Sequence, residues 1–427
     1  MPVVGRPAQA TDPRHRRLPA ATIVDILAFA GWGPQIAAGR SAEARAGGEK
    51  ALALALQAGL GWADGPSGEP LYDPIEVQNC LAWAATSGGN SFWADQARAI
   101  DRAITEHERR PGHAGRCGEP APARFRVFSR RTFNLGAFDP GAKIRLRLPL
   151  PLRCDYHRDV QVRPRVAEAL EGAVTVSDGR LEVRLDVPRD PIVTIGVDLE
   201  FVALLPPPNG PTPPLGAADR EAHLRPVEGL IRVTPTVRDL ALRLAGTRAP
   251  QQAVVAFCRF LDEHVRFAFV WYDEVSLSAP GDWVLENGVY DCQLSAALLV
   301  SLCRANGIPA RLVSGHYLHR LAPTNHNWID VWLDGRGWTP LDILNRERER
   351  PEFAIGADWP EHFRRRGDYR LVTQTPPLAF TGPMSVRLPP AWLMLHTAGD
   401  PGVAITYLDI ADASLIYRDT VSVERTD

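Results

Sequence analysis

One stretch of this chain, from Asn287 to Ile343, constrains the fold more than any other. It begins with NGVYDCQLSAALLVSLCRANGIPARLVSGHYLHR and continues through NHNWIDVWLDGRGWTPLDI. Apolar residues recur at helical spacing from about Cys292 to Asn306, and Gly307 followed by Pro309 marks the end of a helix. The sequence therefore predicts a helix whose first turn carries a cysteine.

The segments after this helix are typical of strands. Those at about 310–318 and 326–333 are rich in Val, Ile, Leu and Trp. The residues at 334–337, Asp-Gly-Arg-Gly, predict a turn, and a third strand returns at 338–343. We expect a helix followed by an antiparallel sheet that contains a hairpin.

Three residues of this stretch are suited to nucleophilic catalysis. A thiol at Cys292 would lie beside unpaired N–H groups and the positive end of the helix dipole, both of which favour the thiolate. Because strand side chains alternate between faces, His326 and Asp342 share a face of the hairpin if a three-residue loop pairs Leu333 with Gly337. A Cys–His–Asp set in this order supplies a nucleophile, a general acid and base, and a carboxylate that orients the imidazole.

The ordered set resembles the transglutaminase-like superfamily, whose core is related to papain-like cysteine proteases. The resemblance is carried by GVYDCQLSAALLVSLCRANGIPARLVSG, NHNWIDVWLDG and GWTPLD, and it covers roughly 235–373. Carried over by position, it implies that Cys292 is the nucleophile, His326 the base and Asp342 the orienting acid. Asn327 departs from the pattern, since relatives often have a small residue after the histidine.

The resemblance leaves the oxyanion contributor open. Family members use an upstream Trp or Gln side chain beside the cysteine N–H, so Trp283 and Gln293 are the candidates. Alternatives to Asp342 as the orienting acid are Asp291 and Asp330. Candidates for contact with substrate in the cleft are Asp291, His316 and Trp328. His316 is also compatible with a structural or surface position, and Trp328 with the core.

The expected fold class is α+β. A papain-like core, in which the helix carrying the cysteine packs on an antiparallel sheet, follows a β-sandwich-like domain and an N-terminal helical region. Helical periodicity recurs near 20–31, 41–61 and 91–109, whereas short Val/Leu/Arg alternations after residue 122 predict antiparallel strands. The charged run RERERPEFAIGADWPEHFRRRGDYR, beyond the core hairpin, indicates a solvated surface.

Changes in composition predict the domain boundaries. Pro- and Gly-rich linkers, PGHAGRCGEPAP and PPPNGPTPPLG, separate segments of different periodicity. We predict a disordered N-terminus at 1–19, a helical domain at 20–110, a β-sandwich-like domain at 123–205, the transglutaminase-like core at 217–375, and C-terminal strands at 383–427 that pack on the core or the β-domain.

Composition narrows the functional classes. A net charge of −2 gives no indication of nucleic-acid binding, and the apolar run at 23–30 is too short to span a bilayer, so we expect no membrane association. The six cysteines form no C-x-x-C pair, which favours neither a zinc site nor a disulfide framework and fits a reduced, cytoplasmic setting. We expect no metal and no cofactor, because the sequence contains no calcium-loop, nucleotide or flavin motif.

The function predicted from these residues is cysteine-dependent acyl transfer. A thioester would form on Cys292 from an amide or thioester carbonyl of a peptide, protein or acyl-thioester substrate, and an amine would accept the acyl group. A peptidase or amidase, in which water is the acceptor, uses the same three residues. A catalytically silent scaffold or binding protein is the third alternative.

Overall fold

The computed structural model describes residues 17–37, 41–86, 121–205 except 137 and 178, 212–318 except 273, 323, 325–343, 359, 369–374, 395–399, 402–409 and 414–426. Helices are combined with sheets that are mainly antiparallel, which confirms the predicted α+β class. Within these ranges, the helices lack the combination of length and apolar character needed to cross a membrane.

The helices are α1 (Ala20–Ala37), α2 (Ser41–Gln57), α3 (Pro74–Thr86), α4 (Ala217–Ala222), α5 (Pro235–Ala245), α6 (Pro250–His264), α7 (Pro280–Asn287) and α8 (Cys292–Ala305). The strands are β1 (Leu18–Pro19), β2 (Ala63–Asp64), β3 (Pro70–Tyr72), β4 (Ala123–Asn134), β5 (Lys143–Pro149), β6 (His157–Arg165), β7 (Val174–Ser177), β8 (Arg180–Asp186), β9 (Ile192–Ala203), β10 (Val227–Glu228), β11 (Ile231–Arg232), β12 (Arg266–Phe267), β13 (Val289–Tyr290), β14 (Ala310–Tyr317), β15 (Asn325–Leu333), β16 (Gly337–Leu341), β17 (Arg370–Gln374), β18 (Leu395–Gly399), β19 (Gly402–Asp409) and β20 (Ser414–Arg425).

The N-terminal region packs α1, α2 and α3 around a core of its own. Sequence periodicity places helices near 20–31 and 41–61, and both form, although α1 is longer and α2 shorter than expected. Periodicity does not predict α3, which begins at Pro74 and uses Asp73 as its N-cap, with the Ile75 N–H donating to the carboxylate at 2.8 Å. The predicted helix near 91–109 lies outside the described residues.

The first residues of the chain require one correction. Of the segment 1–19 predicted to be disordered, residues 1–16 lie outside the described part of the chain. Leu18 and Pro19, however, pair with Tyr72 and Leu71 as strand β1, so the prediction of disorder is wrong for these two residues.

Two antiparallel sheets form the β-domain, with strand orders β18-β19-β20-β4-β9-β6 and β5-β8-β7. Alternate residues of both sheets meet in one core, for example Phe125 and Val127 of β4 with Leu146 and Leu148 of β5. Two sheets that share an inner core in this way form a sandwich, as the alternating sequence pattern indicates.

Strand β20 completes the larger sheet of the β-domain by pairing along β4. Across this pair, two nitrogens of the Arg131 guanidinium donate to the Asp419 carboxylate, each at 2.6 Å. These two residues are 288 positions apart in the chain. The β-domain is thus formed by two parts of the chain, one that precedes the core domain in the sequence and one that follows it.

The core domain packs α8 against a four-stranded sheet of order β16-β15-β14-β17. The edge strand β17 pairs with β14 through a bulge between Ser314 and Gly315. A Cβ atom at Gly315 would lie 1.9 Å from the carbonyl oxygen of Leu371. Glycine therefore permits the close approach of β17 to β14 at this point.

The hairpin between β15 and β16 has the predicted register. Leu333 pairs with Gly337 around a three-residue loop, and Ile329 pairs with Leu341. Gly335 and Gly337 have φ values of +78° and +79°, which residues with a Cβ atom rarely adopt. The same register continues to Asp342 and places it on the face of the sheet that also carries His326.

Residues 269–272 connect the N-terminal helices to the start of α8. The side chain of Asn79 on α3 donates to the Phe269 carbonyl at 3.0 Å and accepts from the Phe269 N–H at 2.8 Å. Trp271 is buried in the N-terminal core and donates its indole N–H to Asp73 at 3.2 Å. The hydroxyl of the next residue, Tyr272, reaches the N-cap of α8.

Candidate active site

Cys292 is the first residue of α8 and is partly exposed. Asp291 caps this helix, because its carboxylate accepts from the backbone N–H groups of Gln293 at 3.0 Å and Leu294 at 2.8 Å. The Tyr272 hydroxyl donates to the other oxygen of that carboxylate at 2.7 Å. The structure therefore assigns Asp291 to the helix cap, rather than to the substrate cleft or to the orientation of His326.

The structure brings Cys292, His326 and Asp342 together. The Nε2 atom of His326 lies 3.1 Å from Oδ1 and 2.9 Å from Oδ2 of Asp342. The side chain of Cys292 also interacts with the His326 ring and contributes to the raised pKa of this histidine. A thiol, an imidazole and a carboxylate are thus connected in series, with the histidine in the middle.

Asp342 has two further partners in the core. The Tyr317 hydroxyl donates a short hydrogen bond to the carboxylate, and the Tyr317 ring stacks on the His326 ring with centroids 4.9 Å apart. The guanidinium of Arg370 lies 3.3 Å from Oδ2 of Asp342, and the side chains of both residues are 1% exposed. The negative charge of the buried carboxylate is therefore balanced by the His326 and Arg370 side chains and by the Tyr317 hydroxyl.

These contacts set the charge states of the pair. Burial alone would lower the pKa of His326, but the charge and hydrogen bond of Asp342, together with the contact to Cys292, raise it to about 9. Burial alone would raise the pKa of Asp342, whereas His326, Arg370 and Tyr317 hold it well below its usual range. At neutral pH the pair is consequently an imidazolium and a carboxylate.

Arg370 and Trp359 are exceptions to the expectation that the charged run after the hairpin forms a solvated surface; residues 346–358 and 360–368 of this run lie outside the described part of the chain. Its guanidinium packs between two rings, 4.8 Å from the centroid of Tyr317 and 4.7 Å from that of Trp328. Trp359, from the same run, is 3% exposed and donates its indole N–H to the Pro340 carbonyl at 3.2 Å. Arg370 is a functional candidate that sequence reasoning misses; the apolar Leu-Val pair that follows it is the signal of a strand.

Asn327 is a second residue that the structure brings to the sulfur. Its Nδ2 lies 3.3 Å from Sγ of Cys292. Its Oδ1 accepts a short hydrogen bond from the hydroxyl of Ser314, the residue opposite it on β14. The departure from the family pattern at this position therefore puts an amide donor at the thiol.

The contacts that the structure shows for the two oxyanion candidates from the sequence, Gln293 and Trp283, are with groups other than the Cys292 sulfur. The side-chain oxygen of Gln293 lies 3.2 Å from the Tyr272 hydroxyl, whose proton is closer to Asp291, so the Gln293 side chain is directed towards the cap. Trp283, on α7, packs against the apolar core of this domain. Neither of these contacts involves the sulfur of Cys292.

The remaining candidates lie in the core or at a domain boundary. Trp328 is 1% exposed and donates its indole N–H to the Tyr156 hydroxyl at 3.2 Å, so it is a core residue and not part of a cleft. Asp330 is fully buried and paired with Arg311 at 2.9 Å, away from His326. His316 faces the β-domain, where its charged neighbours are Asp419 and Arg131, and burial lowers its pKa to about 4.

The part of the chain that the structure describes contains no group of three or more His, Cys, Asp or Glu side chains arranged to hold a metal ion. The polar groups around Cys292 are instead engaged with one another. The side chains at this site are a thiol, an imidazolium–carboxylate pair and an amide donor, which are suited to nucleophilic chemistry.

One comparison with known proteins covers the residues of this site. Residues 238–343, which include Cys292, His326 and Asp342, match the family model described as the transglutaminase-like superfamily. The core of this chain is a transglutaminase-like domain.

One curated protein is similar to this chain in sequence. Over 120 residues the chain is 29% identical to the protein-glutamine gamma-glutamyltransferase of Pseudomonas aeruginosa, across 25% of this chain and 18% of the relative. The chain thus spans less than a fifth of the length of that curated protein.

Two solved structures are similar over longer ranges. A candidate cysteine protease from Cytophaga hutchinsonii is 14% identical, with a TM-score of 0.42, over 72% of this chain and 99% of that one. The periplasmic domain of TgpA from Pseudomonas aeruginosa is 19% identical, with a TM-score of 0.29, over 60% of this chain and 96% of that one.

Proposed function

We propose that this protein is a cysteine acyltransferase that carries the acyl group as a thioester on Cys292. The observation that carries the proposal is the series of contacts from Cys292 through His326 to Asp342, placed at the N-terminus of α8. A thiolate at a helix N-terminus is stabilised by the helix dipole and by unpaired N–H groups. An imidazolium beside it supplies both a counter-charge and a proton.

The acylation step follows from these positions. The thiolate of Cys292 attacks the carbonyl carbon of an amide, and the carbonyl π electrons move to the oxygen. As the carbonyl re-forms, the carbon–nitrogen bond breaks and His326 transfers its proton to the departing nitrogen. The products are a thioester on Cys292, an amine or ammonia, and a neutral imidazole.

The second step regenerates the thiolate. An amine attacks the thioester carbonyl, the neutral His326 takes a proton from that amine, and the sulfur departs as the thiolate. Asp342 keeps the imidazole oriented in both steps and balances its charge when protonated, while Arg370 and Tyr317 hold Asp342 in place.

The acyl donor we favour is the carboxamide of a glutamine side chain in a peptide or protein. This choice is supported by the name of the Pseudomonas aeruginosa relative, a protein-glutamine gamma-glutamyltransferase. The acceptor is then a primary amine. With water as the acceptor, the same three residues would instead produce an amidase or peptidase.

Intact-mass spectrometry of the full chain tests the proposal. Wild type, Cys292→Ala and Cys154→Ala are incubated with a glutamine dipeptide or an acyl thioester, with and without putrescine. Cys154 is a matched control, because it is partly buried and lies 3.4 Å from the ring of His157, but burial raises its pKa to about 11.

We expect an adduct on wild type and Cys154→Ala that is absent from Cys292→Ala. Putrescine should discharge the adduct and yield a new amide. If the adduct disappears at the same rate without putrescine, and no amide forms, water is the acceptor and the protein is a hydrolase rather than an acyltransferase. Two results together would refute both enzymatic functions and favour a scaffold protein. Wild type would form no adduct, and Cys292 would be alkylated no faster than the other cysteines.

A further inference from the structure

The side-chain amide of Asn327 approaches the Cys292 sulfur from strand β15. Its Nδ2 atom lies 3.3 Å from Sγ, and its Oδ1 atom accepts the short hydrogen bond from Ser314. Ser314 is 8% exposed, so this bond is shielded from water. Because the hydroxyl donates to Oδ1, the NH₂ group of the amide is directed at the sulfur.

An amide donor in this position is suited to a negative charge. A neutral thiol is a weak acceptor, whereas N–H groups bond strongly to an anion in a site that is partly removed from water. His326 contacts the same sulfur and holds the proton that a leaving group requires. The histidine and the asparagine thus contact the reacting atom separately, one as a charged acid and the other as a neutral donor.

We propose that Asn327 is a further catalytic residue, whose amide N–H donates to the substrate carbonyl oxygen when Cys292 attacks. This inference rests on the acyl transfer proposed above. As the carbon–sulfur bond forms, the carbonyl π electrons become a lone pair on oxygen, and the N–H of Asn327 and the backbone N–H of Cys292 stabilise that charge. When the leaving group departs, the oxygen returns its electrons to the carbonyl and both hydrogen bonds weaken.

The hydrogen bonds at the start of α8 are consistent with the Cys292 N–H acting as the second oxyanion donor. Asp291 caps the N–H groups of Gln293 and Leu294, and this cap does not include the N–H of Cys292. The Gln293 side chain is directed to Tyr272. The Cys292 N–H belongs to the same residue as the sulfur that the Asn327 amide contacts, so both donors lie beside the reacting atom. Ser314 is a positioning residue, since it acts only by orienting the amide.

The test compares two reactions of the same thiol. Attack on 4-nitrophenyl acetate forms a tetrahedral intermediate with a negative oxygen, and nitrophenolate departs without needing a proton. Alkylation by iodoacetamide displaces iodide at a saturated carbon and forms no oxyanion. Both rates are measured at Cys292 in the full chain under single-turnover conditions, with the background of Cys292→Ala subtracted.

We expect Asn327→Ala to lower the rate of acylation by 4-nitrophenyl acetate about 10²- to 10³-fold, the usual effect of removing one oxyanion donor. Alkylation by iodoacetamide should change far less, because it forms no oxyanion and loses only the N–H donor to the sulfur. The matched control is Asn325→Ala, two residues earlier on the same strand and face, opposite His316. This variant should leave both rates unchanged.

Ser314→Ala provides a second test that leaves Asn327 in place. It should lower kcat for the ester with little change in KM, by less than Asn327→Ala does, because the amide remains but is no longer oriented. Asn327→Asp should slow both reactions, since a carboxylate next to the sulfur disfavours the thiolate.

The outcomes separate the two proposals. If Asn327→Ala slows acylation and alkylation equally, or slows neither, the amide is not an oxyanion donor and the inference is overturned. If neither the ester nor any glutamine or thioester donor acylates Cys292 in wild type, the proposed acyl transfer itself fails, whatever the variant does.

Discussion

Replacing Asp342 by asparagine should remove a part of the folding stability that varies with pH. In the wild-type protein the pKa of His326 is raised from its ordinary 6.5 to about 9, chiefly through Asp342 working against the effect of burial. A shift of this size corresponds to about 3 kcal/mol of stability when the imidazole is protonated in both the folded and the unfolded states.

The sign of the effect follows from which state binds more protons. Below pH 6.5 both states hold the proton and the stabilisation is complete. As the pH rises, the unfolded chain releases its proton first, so the stabilisation falls and is lost as the pH passes through about 9. In Asp342→Asn the carboxylate charge is absent and burial opposes protonation, so this loss does not occur.

The asparagine variant also has a constant cost. Arg370 loses its buried carboxylate partner, which typically destabilises a protein by about 3 to 5 kcal/mol. The guanidinium stays protonated throughout the range, so this cost does not change with pH. The partly buried thiol of Cys154 and the buried thiol of Cys303, with pKa values raised to about 11 and about 12, affect both proteins equally.

The assay is urea unfolding of both proteins, followed by tryptophan fluorescence. The difference in the free energy of unfolding should be about 3 kcal/mol larger at about pH 6 than at about pH 9.5, with equal m-values. Asp330→Asn is the matched control, since it removes a buried carboxylate beside Arg311 without a histidine. A difference that is the same at both pH values, or that Asp330→Asn reproduces, would refute the assigned charge state of the pair.

Three further predictions concern the packing around the site. Gly315→Ala should destabilise the protein by on the order of 3 kcal/mol in urea unfolding, because the new Cβ would meet the Leu371 carbonyl oxygen; Gly172→Ala, where nothing lies within 4 Å, should be nearly neutral. Between pH 6.5 and about 4 the unfolded chain takes up a proton on His316 that the folded ring does not, so the wild-type protein loses stability as the pH falls. His316→Gln should reduce this loss by at most about 3 kcal/mol. A variant that loses stability as steeply as wild type would contradict the prediction. Asn79→Ala should lower the free energy of unfolding by about 2 kcal/mol, because two hydrogen bonds to Phe269 are lost; unchanged stability would show that α3 does not depend on them.

The sequence predicts those parts of the site that depend on short-range patterns. The helical spacing after Cys292 and the stop at Gly307 define α8 to within a residue. The hairpin register follows from side-chain alternation, because a three-residue loop puts His326 and Asp342 on one face. Both inferences require only the chain within one supersecondary unit.

The contacts made across the fold are not predictable in this way. Arg370 lies in a run of charged residues whose composition indicates solvent, and its burial depends on a carboxylate and two aromatic rings from other strands. The contact of Asn327 with Cys292 depends on how closely α8 approaches β15. Gln293, chosen by analogy, has its side-chain oxygen next to the Tyr272 hydroxyl at the cap of α8, a contact that depends on a residue from outside this segment.

The pairing of β20 with β4 has a consequence for synthesis on the ribosome. Arg131 emerges 288 residues before its partner Asp419. At a typical rate of elongation this delay is roughly 15 to 60 s. The sequence of the core domain is translated within that interval, while the edge of β4 that β20 later covers has no native partner strand. We therefore expect chaperones that bind nascent strands to engage the β-domain rather than the core domain.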